Sequence, residues 1–208
     1  MSLSLALSQL RAGKIICYPT DTLPGLAVDA GSEEALRLLF RVKGRSAEQP
    51  VVTAVADLAQ AEQLAEFSPM ARQLAEEFWP GALTLLLPSR GTPSSFLAKD
   101  GWRALRVPAD PFSRALAKEF PGGLTTTSAN RSGQPALKIL PELRKEFAAE
   151  EGRGEILFLG EEKDFLSGSG RPSTLAKALP SGEIEILREG ELAKNCSYFK
   201  SLLPRRGF

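Results

Sequence analysis

An α/β domain, with flanking helices on a twisted sheet of mixed parallel and antiparallel direction, is the fold class that this sequence predicts. Three observations carry the prediction. Short apolar or β-branched runs alternate with amphipathic segments that open on capping residues. At 208 residues the chain has the length of one generous domain. Apolar residues make up 43% and charged residues 25%, the composition of an ordinary globule rather than a disordered chain.

MSLSLALSQLRAGK alternates Ser with Leu and has no basic leader, so it reads as a short amphipathic helix rather than a signal peptide. KIICY (14–18) and GLAVDA (25–30) are strands around a PTDTLPG turn. Ser32 is placed to cap a helix with Glu33 and Glu34 in its first turn and Leu36, Leu39 and Phe40 on one face, ending near Gly44. VVTAVA (51–56) is a strand, and Asp57 with Gln60 forms a capping pair for the next helix. Ser68-Pro69 opens another helix, carrying Leu74 and Phe78, that stops at 79–81.

ALTLLLP (82–88) is a continuous apolar run and reads as a strand covered on both faces. ALRVP (104–108) is a strand, and Asp110-Pro111 starts a helix. GLTTTSAN (123–130), EILFLG (155–160), STLAKAL (173–179) and EIEILREG (183–190) complete the set, with GSGRPS (168–173) as a mobile loop. The reading amounts to about eight strands and five helices. It places one domain over 1–190 and a basic tail over 191–208 that could dock as a short helix.

Composition narrows the function. Lys plus Arg is 26 and Asp plus Glu is 25, a net charge of +1, which excludes a surface basic all round but not a local basic groove. There is no histidine, so imidazole bases and His metal ligands are excluded. Cys17 and Cys196 are far apart in sequence, which argues against a disulfide framework or a zinc site. No apolar run reaches membrane-spanning length, so no membrane contact is expected and a cytoplasmic location is.

Several residues could carry chemistry. Lys43 and Arg45 flank Gly44 just past a helix end; cations there offset the helix dipole, yet two cations on one tight turn can also hold a polyphosphate. Thr125, Thr126, Thr127 and Ser128 with Asn130 are either good strand and turn formers or a row of hydrogen-bonding groups lining a cleft. Arg106, a lone cation in an apolar strand, sits at an edge or faces an anion. Thr20, Asp21 and Thr22 follow a strand, where ligands of α/β proteins usually lie, although Asp-Thr is also ordinary turn chemistry. No Walker A motif is present, and Cys17 in mid-strand reads as inert.

In order, KIICYPTDTLPGLAVDA, RVKGR, FWPGALTLLLP, LRVPADP and TTTSANRSGQP resemble the YrdC/Sua5 family over 14–135. The family's KxR and SxN hallmark is matched by Lys43, Arg45, Ser128 and Asn130; YciO-type relatives lack parts of that set, so its completeness favours an active synthase. The length resembles the stand-alone YrdC form. The resemblance implies an L-threonylcarbamoyladenylate synthase: L-threonine, bicarbonate or CO2, and ATP with Mg2+ give threonylcarbamoyl-AMP and pyrophosphate. A downstream tRNA threonylcarbamoyl transferase complex then modifies adenosine 37 of tRNA. Such chemistry needs positioning and charge stabilisation rather than a protein nucleophile, so lacking histidine is no obstacle.

Carried over by position, Lys43, Arg45, Gln49, Ser128, Asn130 and Arg188 would bind ATP, with Lys43 and Arg45 on one wall and Ser128 and Asn130 on the opposite one. Thr22, Arg106, Thr126 and Ser173 would bind threonine, Arg106 pairing with its carboxylate. No protein ligand to a metal is implied, since Mg2+ is held largely through phosphate oxygens. Four positions depart from the family pattern: Ala54 replaces a common His, Gln49 an Asn, Leu23-Pro24 the aromatic residue before Gly, and Asp110 a His. The alternative function is an RNA-binding or ribosome-maturation factor, contacting tRNA or double-stranded RNA through the same groove, with Lys194, Lys200, Arg205 and Arg206 adding phosphate contacts.

Overall fold

The computed structural model describes residues 1–196 and Phe199. The chain runs through α1 (Leu3–Arg11), β1 (Ile15–Tyr18), β2 (Gly25–Ala27), α2 (Glu33–Lys43), β3 (Val52–Ala54), α3 (Leu58–Leu64) and α4 (Pro69–Phe78). It continues through β4 (Leu83–Pro88), β5 (Ala98–Lys99), β6 (Trp102–Arg106), α5 (Pro111–Lys118), β7 (Leu124–Ser128), α6 (Leu140–Glu146) and α7 (Ala148–Gly152). It closes with β8 (Ile156–Phe158), α8 (Glu162–Phe165), β9 (Thr174–Ala178), β10 (Ile184–Arg188) and α9 (Glu191–Asn195).

Helices start where a side chain can satisfy their free N–H groups. Ser2, Ser32, Asp57, Ser68 and Asp110 each accept a backbone N–H three residues ahead. Gln60 completes the predicted pair at α3 by accepting from Ala56 N, and its amide also donates to Ala117 O and Phe120 O at the end of α5. The end of α2 matters most for the site. Gly44 takes the left-handed conformation (φ 60°), and Arg45 N bonds back to Phe40 O at 3.0 Å. That reversal sends Lys43 and Arg45 in different directions.

The sheet order is β10-β9-β4-β6-β3-β7-β2-β1-β8, with β5 paired to β6. Pairs β1–β8, β3–β6 and β4–β9 are parallel and the rest antiparallel, which is the mixed sheet expected from the sequence. One core cluster lies under α2, another under α1 and α5, and a third under α3 and α4. Ala193 of α9 and Phe199 join the last of these, Phe199 packing edge-on against Phe78. No helix among the described residues is long and apolar enough to cross a membrane.

Two readings need correction. β4 is not covered alike on both faces: Leu83, Leu85 and Leu87 enter the core, while Thr84 and Leu86 turn towards an open cleft. The 168–173 segment is not a free loop. Ser169 N and Gly170 N donate to Asp21 O and Thr22 O, and Gly168 lies so close to Thr20 and Thr22 that a Cβ would sit 2.6 Å from Thr22 O. The sequence reading also missed β5, α6, α7 and α8. Of the tail cations, Lys194 is exposed, and Lys200, Arg205 and Arg206 lie outside the described residues.

Candidate active site

Strand alternation builds one cleft of about 560 Å³ on the sheet. Its floor is Thr84 and Leu86 of β4, Trp102, Ala104 and Arg106 of β6, and Leu175 and Lys177 of β9. The register explains the grouping: Leu86 is opposite both Ala104 and Lys177, and Thr84 is opposite Leu175. Thr126 and Ser128 of β7 reach it from one side, and the 20–23 turn and the 172–173 segment close it from the other.

The 20–23 turn is locked by its own hydroxyls. Thr20 Oγ1 donates to Leu23 O at 2.7 Å and accepts from Thr22 N at 3.1 Å. Arg106, 5% exposed, then braces it: Nη2 bonds Asp21 Oδ2 at 2.7 Å, Nη1 bonds Thr22 Oγ1 at 3.0 Å and Nε bonds Gly81 O at 2.9 Å. Of the five N–H groups of a guanidinium, these bonds use three. Asp21 Oδ2 also accepts from Ala109 N at 3.2 Å. Beside that turn, Ser173 Oγ is 2.7 Å from Thr84 Oγ1, and Arg188 donates to Ser173 O through Nε and Nη2.

Arg45, Arg106 and Arg188 therefore line one cleft, and Arg106 is paired there with the Asp21 carboxylate. Arg45 is held by neutral oxygens, Gln49 O at 2.6 Å and Pro50 O at 3.0 Å. Burial first, and then the cation of Arg188, pushes the Arg45 guanidinium below its ordinary value; burial and Arg106 do the same to Arg188. Arg106 is buried, Arg45 half-buried and Arg188 exposed, and cations of one sign around one cleft form a site that an anion relieves. The other end is more apolar, with Leu86, Ala104, Leu175 and Trp102, and there the Lys177 ammonium lies 4.2 Å from the Trp102 ring centre.

A family model described as "Telomere recombination", covering Sua5, YciO and YrdC proteins, matches residues 8–190. This chain belongs to the Sua5/YciO/YrdC family. It is 33% identical over 185 residues to the threonylcarbamoyl-AMP synthase of Methylococcus capsulatus, spanning 88% of this chain and 95% of that one. It is 35% identical over 134 residues to the synthase of Bacillus subtilis, spanning 63% of this chain but only 39% of the relative. Among solved structures, Pyrococcus abyssi Sua5 complexed with L-threonine superposes with a TM-score of 0.77 at 32% identity, over 90% of this chain and 54% of that one. Escherichia coli YciO, at 21% identity and a TM-score of 0.75, shares the fold.

Within this family frame, the sequence-predicted residues divide. Thr22, Arg45, Arg106, Thr126, Ser128, Ser173 and Arg188 all line the cleft. Lys43, Gln49 and Asn130 do not. Gln49 is exposed, and the part of it at the site is the carbonyl that holds Arg45. Lys43 and Asn130 are buried and bonded to each other, so the expected arrangement of Lys43 on one wall and Ser128 with Asn130 on the opposite one is wrong. Thr84, Trp102 and Lys177 were missed. Their signal was the alternation of β4, β6 and β9, which becomes readable once the strands are paired.

Proposed function

We propose that this chain is a threonylcarbamoyl-AMP synthase, forming the adenylate from L-threonine, bicarbonate or CO2, and ATP and releasing pyrophosphate. The observation that carries the proposal is the convergence of three arginines and a row of hydroxyls on one cleft. In this reading the threonine amine, once deprotonated, bonds to the carbon of CO2 and releases its second proton to water, leaving a carbamate. A carbamate oxygen then attacks the α-phosphorus, and the bond to pyrophosphate breaks. No step needs a covalent bond to the protein, which agrees with a histidine-free chain and with a Cys17 thiol buried beneath α2 and pushed up by that burial.

The residues take roles from their positions. Arg106, braced beside Thr22, receives the threonine carboxylate, while Ser173 and Thr126 flank it. Arg45 and Arg188 face the phosphates and stabilise charge as it develops at phosphorus. ATP would bring Mg2+ with it, held through phosphate oxygens, since the described residues hold no group of three or more Cys, Asp or Glu suited to a metal. We place the enzyme in the cytoplasm and its product with a separate transferase acting on tRNA.

The apolar end then takes the nucleobase against Trp102, Leu86 and Ala104. Trp102→Ala should raise the KM for ATP by roughly 5- to 100-fold, the usual value of a base–aromatic contact, and leave the KM for threonine within about twofold. The function itself is tested by pyrophosphate release from purified protein. Release should require ATP, L-threonine and bicarbonate together. Release that persists without threonine would remove the synthase assignment.

A further inference from the structure

The Lys43 ammonium is 2.7 Å from Ser128 O, 2.7 Å from Asn130 O and 3.3 Å from Asn130 Oδ1. An ammonium has three N–H groups, and all three are committed. The residue is 1% exposed and absent from the cleft lining, whereas Arg45, two positions on, lines it. Lys43 also grips the same segment from its main chain, because its carbonyl accepts from Ser132 N at 2.7 Å. Both ends of one residue thus hold the segment from 128 to 132.

The orientation of Asn130 follows from its partners. Its Nδ2 donates to Gln134 O, which makes Oδ1 the acceptor for Lys43. The Ser128 hydroxyl lies 2.6 Å from the same Oδ1 and has to be the donor there, since Oδ1 has no proton to give. Ser128 has only one proton, and it points away from the cleft. What reaches the cleft from Ser128 is oxygen lone pairs.

We propose that Lys43 is a positioning residue that never touches the nucleotide: through Asn130 it holds the 128–130 turn so that Ser128 meets its ligand as a hydrogen-bond acceptor. The proposal rests on the synthase reading for its kinetic consequences, but its structural half can be read in protein without substrate. Donation by Lys43 to two main-chain oxygens makes the turn the part of the cleft wall that loses most when that ammonium is removed.

The experiment combines amide hydrogen exchange with a double-mutant cycle, using Lys43→Met, Lys43→Gln, Ser128→Ala and the corresponding doubles. In ligand-free protein, Lys43→Met should speed exchange at the amides of residues 129–134, and Arg45→Ala should not. In turnover, Lys43→Met should lower kcat by roughly 10- to 100-fold, as loss of an orienting contact does, with the KM for ATP within about twofold. Adding Ser128→Ala should then cost almost nothing more, because both changes remove one unit. Lys43→Gln, uncharged but able to donate, should recover part of the loss; it also serves the cycle if the Met variant does not fold.

Unchanged exchange at 129–134 would overturn the positioning role whatever the chemistry of the cleft. Losses that multiply in the double variant, or a Gln variant as impaired as Met with a raised KM for ATP, would make Lys43 a direct phosphate ligand instead. Altered exchange in a protein with no threonine-dependent turnover would uphold the positioning role and count against the synthase reading alone.

Discussion

Arg106→Met is expected to lower kcat/KM for L-threonine by roughly 30- to 5,000-fold, the range that corresponds to a loss of about 2–5 kcal/mol when one partner of a buried, hydrogen-bonded charge pair is truncated. Two effects combine in that number. The variant loses the planar donor proposed for the threonine carboxylate, and it leaves Asp21, 17% exposed at its side chain, with Ala109 N as the remaining donor to Oδ2. The two are separable. In Asp21→Asn/Arg106→Met the stranded charge is gone, so urea midpoints should recover much of what Arg106→Met loses, while threonine KM stays high. Arg106→Lys keeps the charge but not the fork that reaches Asp21 and Thr22 together, and should fall between. Full activity in the double variant would take Arg106 out of threonine recognition and leave it as a brace for the turn.

The sheet was legible because strands and capped helices follow local rules. Ser32 and Gly44 bound α2 where capping and left-handed chemistry place its ends, and Asp110 with Pro111 opens α5. Of the elements missed, β5 has two residues and α8 four, too few to show a period, while α6 and α7 open without a side-chain cap. At the site, the sequence identified residue types better than their partners. Arg106 was recognisable as an unusual cation, yet its pairing with Asp21 joins positions 85 residues apart and depends on where β6 lies against the 20–23 turn. Lys43 fared the other way. KxR reads as two equivalent cations, but the left-handed Gly44 between them turns one into the core and the other into the cleft. Trp102 and Lys177 come from β6 and β9, which are not neighbours but lie on either side of β4, so only the assembled sheet brings them together.

Burial of Lys43 should also make stability depend on pH in a recognisable way. Burial, aided by the cations of Arg45 and Arg131 and opposed by Cys17, lowers the Lys43 ammonium from 10.5 to about 7, while the three oxygens around it favour the charged form. Between those two values the unfolded chain holds a proton that the folded one does not, so unfolding free energy rises with pH there, by up to about 1.4 kcal/mol per unit. Below about pH 7 both states are protonated and this contribution is flat. Cys17 acts with the opposite sign: burial raises its thiol, so above the ordinary value of 9.0 the unfolded chain ionises first and stability falls. Tyr18, raised by burial from 10.0, adds to that fall. Urea midpoints should therefore climb from pH 7 to a maximum between about pH 9 and 10, where the opposed slopes cancel, and then decline. Lys43→Met should flatten the climb, and Cys17→Ala should soften the decline. Midpoints that stay level from pH 7 to 9 in the unmutated protein would mean that Ser128 O, Asn130 O and Asn130 Oδ1 outweigh burial. The turn would then keep a full ammonium at its centre throughout the working range of the enzyme.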